Sequence, residues 1–206
     1  MKIINSSYEI LTDFSGTDLL KKIESIGRVC YKSEKKIERR SYDSFINRLI
    51  KSGHESVIEH VSITVRIICD RGISHEIVRH RIASYSQEST RYCNYCDGCN
   101  EHITFIKPSF WNENSSEYKL WENTMREIEK TYRELIKIGA SPQEARSVLP
   151  NSLKTELIMT MNLREWRHFF KLRTSYAAHP QMREIIVPLF EEMKKKIPII
   201  FDDIIA

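Results

Sequence analysis

Residues 61–69 alternate: Val61, Ile63, Val65 and Ile67 are interleaved with Ser62, Thr64, Arg66 and Ile68. A period of two is the mark of a half-buried strand, and this is the clearest strand in the sequence. Around it the period changes repeatedly. Residues 2–11 read as a short strand or two, and 19–29 as a helix with Leu19, Leu20, Ile23 and Ile26 on one side. A second helix over 42–50 turns Phe45, Ile46, Leu49 and Ile50 inward and ends near Gly53, which leaves His54, Glu55 and Ser56 in a connection. After Gly72, Ile73, Ile77 and Val78 predict a helix whose opposite side carries Glu76, Arg79 and His80 at i, i+3 and i+4. Arg81 then points about 200° away from Arg79, so the two arginines should serve different groups.

Residues 84–100 read as an irregular loop, 102–106 as a strand ending before Pro108, and 116–138 as a long helix. Ser141-Pro142-Gln143-Glu144 is a capping box with proline at the first helical position, opening a short helix that carries Arg146 and ends around Pro150. Residues 154–161 form a strand. Asn162 with Glu165 predicts a further cap, starting a helix with Arg164, Arg167 and His168 on one side and Trp166, Phe169 and Phe170 packed elsewhere. The last long helix covers 181–195. This mixture describes an α+β chain with a small central, mostly antiparallel sheet flanked by helices.

At 206 residues, 41% hydrophobic and 29% charged, the chain is long enough for one sizeable core and short for two, so a single domain over 1–206 is expected. No apolar run approaches the length that crosses a bilayer, and Met1-Lys2-Ile3-Ile4-Asn5 leads into polar sequence. The expectation is a cytoplasmic protein with no membrane partner. A net charge of +4, with 28 acidic residues spread among 32 Lys and Arg, favours small anionic ligands over a dedicated nucleic-acid surface.

The chemistry concentrates in Arg79-His80-Arg81-Ile82-Ala83-Ser84-Tyr85-Ser86-Gln87-Glu88-Ser89-Thr90-Arg91. Arginine suits phosphate because its planar fork donates paired hydrogen bonds and stays charged. A solvated basic face is the ordinary reading of such a cluster. Six scattered glycines form neither a G-x-G-x-x-G nor a P-loop pattern, so a Rossmann or P-loop site is not expected, and a dinucleotide, if one binds, would have its diphosphate held by side-chain cations and helix ends. Ser89 has no evident activating partner in sequence, and no cysteine lies within 79–91.

Arg79-His80-Arg81, seven residues, Ser89 and then Arg91 resemble the signature of the flavin-dependent thymidylate synthases. Gly53-His54-Glu55-Ser56 with Glu59-His60 resembles the family's upstream flavin segment, and Ala145-Arg146-Ser147-Val148-Leu149-Pro150 its later substrate-binding turn. Asn162-Leu163-Arg164 and Leu172-Arg173 match its carboxyl-terminal half in order and spacing.

The resemblance implies reductive methylation of dUMP to dTMP, with methylenetetrahydrofolate donating the carbon, FADH2 the hydride and NADPH reloading the flavin. It implies FAD contacts from Ser56, Arg79, His80, Arg81, Asn162, Arg164 and His168. It implies nucleotide contacts from Glu76, Arg79, Gln87, Glu88, Ser89, Thr90, Arg91, Arg146 and Arg173. Arg173 falls beside the pyrimidine, where fixed positive charge stabilises negative charge developing at N3 and O2. A homotetramer with active sites shared between subunits is also implied.

Two other classes compete. A single-stranded nucleic-acid module would use 79–91 with Tyr85, Tyr92 and Tyr95 as stacking platforms. A zinc-organised domain would use the Cys93, Cys96 and Cys99 run, with His102, Cys30 or Cys69 as a fourth ligand. Three thiols fall short of a closed site, so reduced cysteines and no bound metal are expected, and Cys30 reads as a small buried packing residue.

Overall fold

The structure, a computed structural model, describes residues 1–96 and 102–205. The fold is α+β. In chain order it runs β1 (Lys2–Ile4), β2 (Ser7–Ile10), α1 (Gly16–Arg28), α2 (Ser41–Lys51), β3 (Ser62–Asp70), α3 (Arg71–Ile77), β4 (Ser84–Gln87), β5 (Thr104–Ile106), α4 (Ser116–Lys137), α5 (Pro142–Ala145), β6 (Lys154–Asn162), α6 (Leu163–Arg173), α7 (Pro180–Lys196) and α8 (Pro198–Phe201). Short 3-10 turns occupy Val29–Tyr31, Glu34–Lys36, Glu55–His60 and Arg146–Val148. A small antiparallel sheet has the order β2-β3-β6-β4. β1 and β5 form a separate parallel pair with Lys2 opposite Thr104 and Ile4 opposite Ile106.

The alternation expected over residues 61–69 holds along β3, where Ile63, Val65, Ile67 and Cys69 are all fully buried. Two expectations fail nearby. The helix after Gly72 ends at Ile77, so Arg79 and His80 lie beyond it and share no helical face with Glu76. The Tyr85 hydroxyl donates to the Ile77 carbonyl at 2.9 Å, engaging the acceptor that a continuing helix would offer to the amide of Arg81. The chain that follows is not all loop either, because β4 is paired in the sheet.

Packing divides into two compact units. The first comprises residues 1–8, 66–79 and 85–158. Its apolar cluster gathers Tyr95, Ile103, Phe105, Tyr118, Trp121 and Tyr132, with Cys93 and Cys96 packed half-buried against it. Ser115 caps α4 by accepting the Tyr118 amide at 3.2 Å. The capping box at Ser141 forms as expected, with Glu144 accepting the Ser141 amide at 2.8 Å.

The second unit comprises residues 9–65, 80–84 and 159–206. Its core is aromatic: Trp166, Phe169, Phe170, Phe190 and Phe201 are each at most 1% exposed and meet at 5.2–6.3 Å between ring centres, mostly edge to face. α1 and α2 approach at Gly27, where an added Cβ would come within 2.7 Å of the Phe45 ring. Gly53, at φ +72°, closes the end of α2 in the left-handed conformation that glycine adopts at little cost. Arg167, expected on one side of α6 with Arg164 and His168, does not share their exposure and is 2% exposed. It is held by both carboxylate oxygens of Asp203 at 2.6 and 2.7 Å, by Glu55 at 3.1 Å and by the Ile200 carbonyl. Cys30, expected to be buried, is exposed.

Candidate active site

Of the positions implicated in flavin binding, Ser56, His80, Arg81, Asn162, Arg164 and His168 fall in the second unit, together with Arg173. Those implicated in nucleotide binding, Glu76, Arg79, Gln87, Glu88, Ser89, Thr90, Arg91 and Arg146, fall in the first. Arg79 and Arg81 thus belong to different units, although the helical geometry used to separate them does not exist.

In the second unit, α6 organises the group. Asn162 caps it, its side-chain oxygen accepting the Glu165 amide at 2.9 Å, which confirms the cap read from sequence. The Glu165 side chain faces His80 instead, its carboxylate 3.3 Å from Nδ1. Arg173, at the last turn of α6, donates from Nε to His80 Nε2 at 3.0 Å. The imidazole is 6% exposed and its ring centre lies 4.8 Å from that of Phe169, edge-on. Burial, reinforced by the nearby charges of Arg173 and His168, lowers the His80 pKa from 6.5 to about 4, so the ring is neutral at neutral pH. Burial also raises the Glu165 carboxyl above its ordinary value, against the influence of His168.

Arg81, Arg164 and His168 are exposed around this buried relay, as is Ser56 in the Glu55–His60 turn. Arg164 pairs with Glu59 at 2.6 Å and lies 3.9 Å from Glu55. These side chains fit the donor chemistry that a flavin diphosphate requires: Arg81 and Arg164 are accessible cations, and the cap engages the Asn162 side-chain oxygen rather than its amide hydrogens. The ligand atoms of His80, Glu165 and His168 lie within 4.8 Å of one another. A guanidinium bonded to the same imidazole opposes a metal cation there.

In the first unit the implicated residues divide into a fixed frame and exposed cations. Gln87 donates its amide to Ser74 Oγ at 2.9 Å and Thr155 Oγ1 at 3.1 Å. Glu88 accepts from the Tyr95 hydroxyl at 2.8 Å and from Lys154 at 2.7 Å. Burial, with Glu88 alongside, pushes the Tyr95 hydroxyl pKa upward and keeps it a donor. Ser89 turns the chain, its hydroxyl accepting the Arg91 amide at 3.2 Å, and Thr90 is buried. Glu76 is half-buried. Arg79, Arg91 and Arg146 are exposed. Arg91 is steered by Gln143 at 3.1 Å and lies over the Tyr92 ring at 5.2 Å.

This arrangement does not support the nucleic-acid alternative. Tyr95 is 7% exposed and hydrogen-bonded, and Tyr85 spends its hydroxyl on Ile77, which leaves Tyr92 as the exposed ring of the three proposed platforms. The zinc alternative partly leaves the described residues, since Cys99 falls outside them. Cys93 and Cys96 pack against the apolar cluster, Cys69 is buried with its thiol pKa pushed well up by burial, and His102 lies 3.6 Å from Glu129.

The residue that sequence reading missed is Glu165. Its spacing from Asn162 announced a capping partner, and nothing in a linear pattern reveals that its carboxylate turns to an imidazole 85 positions away.

The family model described as thymidylate synthase complementing protein matches residues 12–199. The flavin-dependent thymidylate synthase of Pyrococcus furiosus is 39% identical over 165 residues, covering 80% of this chain and 67% of its own. That of Geobacter sulfurreducens is 36% identical over 184 residues, covering 85% and 78%, and that of Corynebacterium diphtheriae is 31% identical over 209, covering 93% and 81%. The crystal structure of a UMP/dUMP methylase, PolB from Streptomyces cacaoi, shares the fold at a TM-score of 0.79 and 24% identity, over 97% of this chain and 95% of that one. With its signature residues, its fold and these relatives in agreement, the chain belongs to the flavin-dependent thymidylate synthase family.

Proposed function

We propose that the protein converts dUMP to dTMP, taking a one-carbon unit from methylenetetrahydrofolate and reducing equivalents from NADPH through FAD. The observation that carries the assignment is Arg173 held on a neutral, buried His80, in the unit that also carries the exposed cations Arg81 and Arg164 and the exposed His168. When bound and reduced by NADPH, the flavin would supply the hydride that turns the transferred carbon into a methyl group. Ser56, Arg79, His80, Arg81, Asn162, Arg164 and His168 would hold it.

Arg173 acts on the pyrimidine by charge. A fixed guanidinium beside the pyrimidine stabilises the negative charge that develops at N3 and O2 as the ring is activated, without giving up a proton. Exposed Arg79, Arg91 and Arg146 supply the cations for the nucleotide phosphate. Glu76, Gln87, Glu88, Ser89 and Thr90 shape the pocket, with Gln87 and Glu88 already anchored by the protein. The Ser89 hydroxyl serves as a turn and ligand contact rather than a nucleophile.

The two residue sets are compatible with a homotetramer in which each active site gathers groups from more than one subunit. The whole chain would act as one domain, in the cytoplasm, with no nucleic-acid or membrane partner. Purified protein should carry a flavin chromophore and form dTMP from dUMP only with methylenetetrahydrofolate and a reductant. A colourless protein that neither binds added FAD nor turns over dUMP would refute the assignment.

A further inference from the structure

Two hydrogen bonds to one imidazole restrict its protonation. Arg173 Nε is a permanent donor and lies 3.0 Å from His80 Nε2, so Nε2 must present a lone pair. An imidazolium, or the neutral tautomer with hydrogen on Nε2, would set two N–H groups against each other. The remaining hydrogen therefore sits on Nδ1, which faces the Glu165 carboxylate at 3.3 Å. Every group in the chain Glu165, His80, Arg173 then has a complementary partner. Both His80 and Glu165 are buried, so a wrong tautomer would leave a desolvated donor facing a donor.

We infer that Glu165 is a positioning residue for this reaction: its carboxylate selects the Nδ1–H tautomer of His80, and His80 Nε2 in turn fixes the rotation of the Arg173 guanidinium. Nε joins the guanidinium plane to its aliphatic stem, so anchoring that nitrogen sets the direction in which the plane can meet a planar ring. A guanidinium prepared in this way pays little ordering entropy when the pyrimidine arrives. Glu165 itself touches neither substrate nor flavin in this scheme. Its purpose rests on the role proposed above for Arg173.

Glu165→Gln keeps a carbonyl acceptor for the Nδ1 hydrogen, whereas Glu165→Leu fills similar space without one. In the flavin-loaded enzyme, Glu165→Leu should lower kcat roughly tenfold or more, while the KM for dUMP and the flavin affinity stay within about threefold. Glu165→Gln should recover most of the turnover. Independently of activity, 15N spectra of histidine-labelled enzyme, assigned with His80→Gln, should show His80 as a single Nδ1–H tautomer in the parent and the Gln variant, and as a mixture of tautomers in the Leu variant, where Nδ1–H has lost its acceptor and the Nε2–H form exists with Arg173 turned away.

An Nε2–H tautomer in the parent, or a Leu variant with parental kcat, would overturn the inference. Loss of folding in the Leu variant leaves the parent spectrum and the Gln variant as the deciding measurements. Arg173→Ala with undiminished turnover would instead sink the proposed role of Arg173. The 15N result would then still decide whether Glu165 sets the tautomer.

Discussion

Arg167 and Arg173 ride on the same helix and have opposite fates. Arg167 is sealed inside, forked onto Asp203 and Glu55, and its removal strands carboxylates that were arranged around it. Arg167→Ala should lower unfolding free energy by about 3 kcal/mol, measured by denaturant titration, because breaking a buried pair costs more than the pair contributes. Arg173 is half-buried, and its worth should appear in catalysis. Arg173→Ala should reduce kcat by about a hundredfold, the range for losing one electrostatic stabiliser, with flavin retained and the melting temperature little changed. His80→Ala should weaken flavin binding and turnover together, read by fluorescence titration and initial rates.

At the scale of elements, helix ends decide where the chemistry sits. α3 stops at Ile77, and the Tyr85 hydroxyl occupies the carbonyl at that end. Tyr85→Phe removes one hydrogen bond and should cost about 1 kcal/mol, with faster amide exchange over 77–85 as the local signature. At the start of α6, Asn162 fixes the register that brings Glu165 to His80. The caps at Ser141 and Asn162 were legible because capping is local: a side chain meets an amide two or three residues away. The early end of α3 was not, since its cause is a hydroxyl supplied from beyond the helix. Strand β4 was hidden for a related reason, as Ser84, Tyr85, Ser86 and Gln87 lack an apolar alternation and are a strand through pairing in the sheet.

For the molecule as a whole, the buried imidazole couples stability to pH. His80 titrates near 6.5 when unfolded and about 4 when folded, so the unfolded chain binds the extra proton between those values. Stability should therefore be unaffected by this group above pH 6.5 and fall as the pH drops toward 4, by up to about 3 kcal/mol. Glu165, raised by burial, contributes with the opposite sign, losing stability as pH rises above its ordinary value of 4.5. Denaturation curves across this range should show the slope reduced in His80→Gln.

The sequence alone determined the family, most of the elements and the identities of the candidate ligands, because residue type, order and periodic burial are written along the chain. Tertiary structure decided which of those groups are spent and which remain exposed. It buried Arg167, committed the Gln87 amide and Glu88 carboxylate to the frame, and aimed Glu165 at His80. Protonation and hydrogen-bond direction depend on dielectric and on partners distant along the chain, and those exist only once the chain has folded.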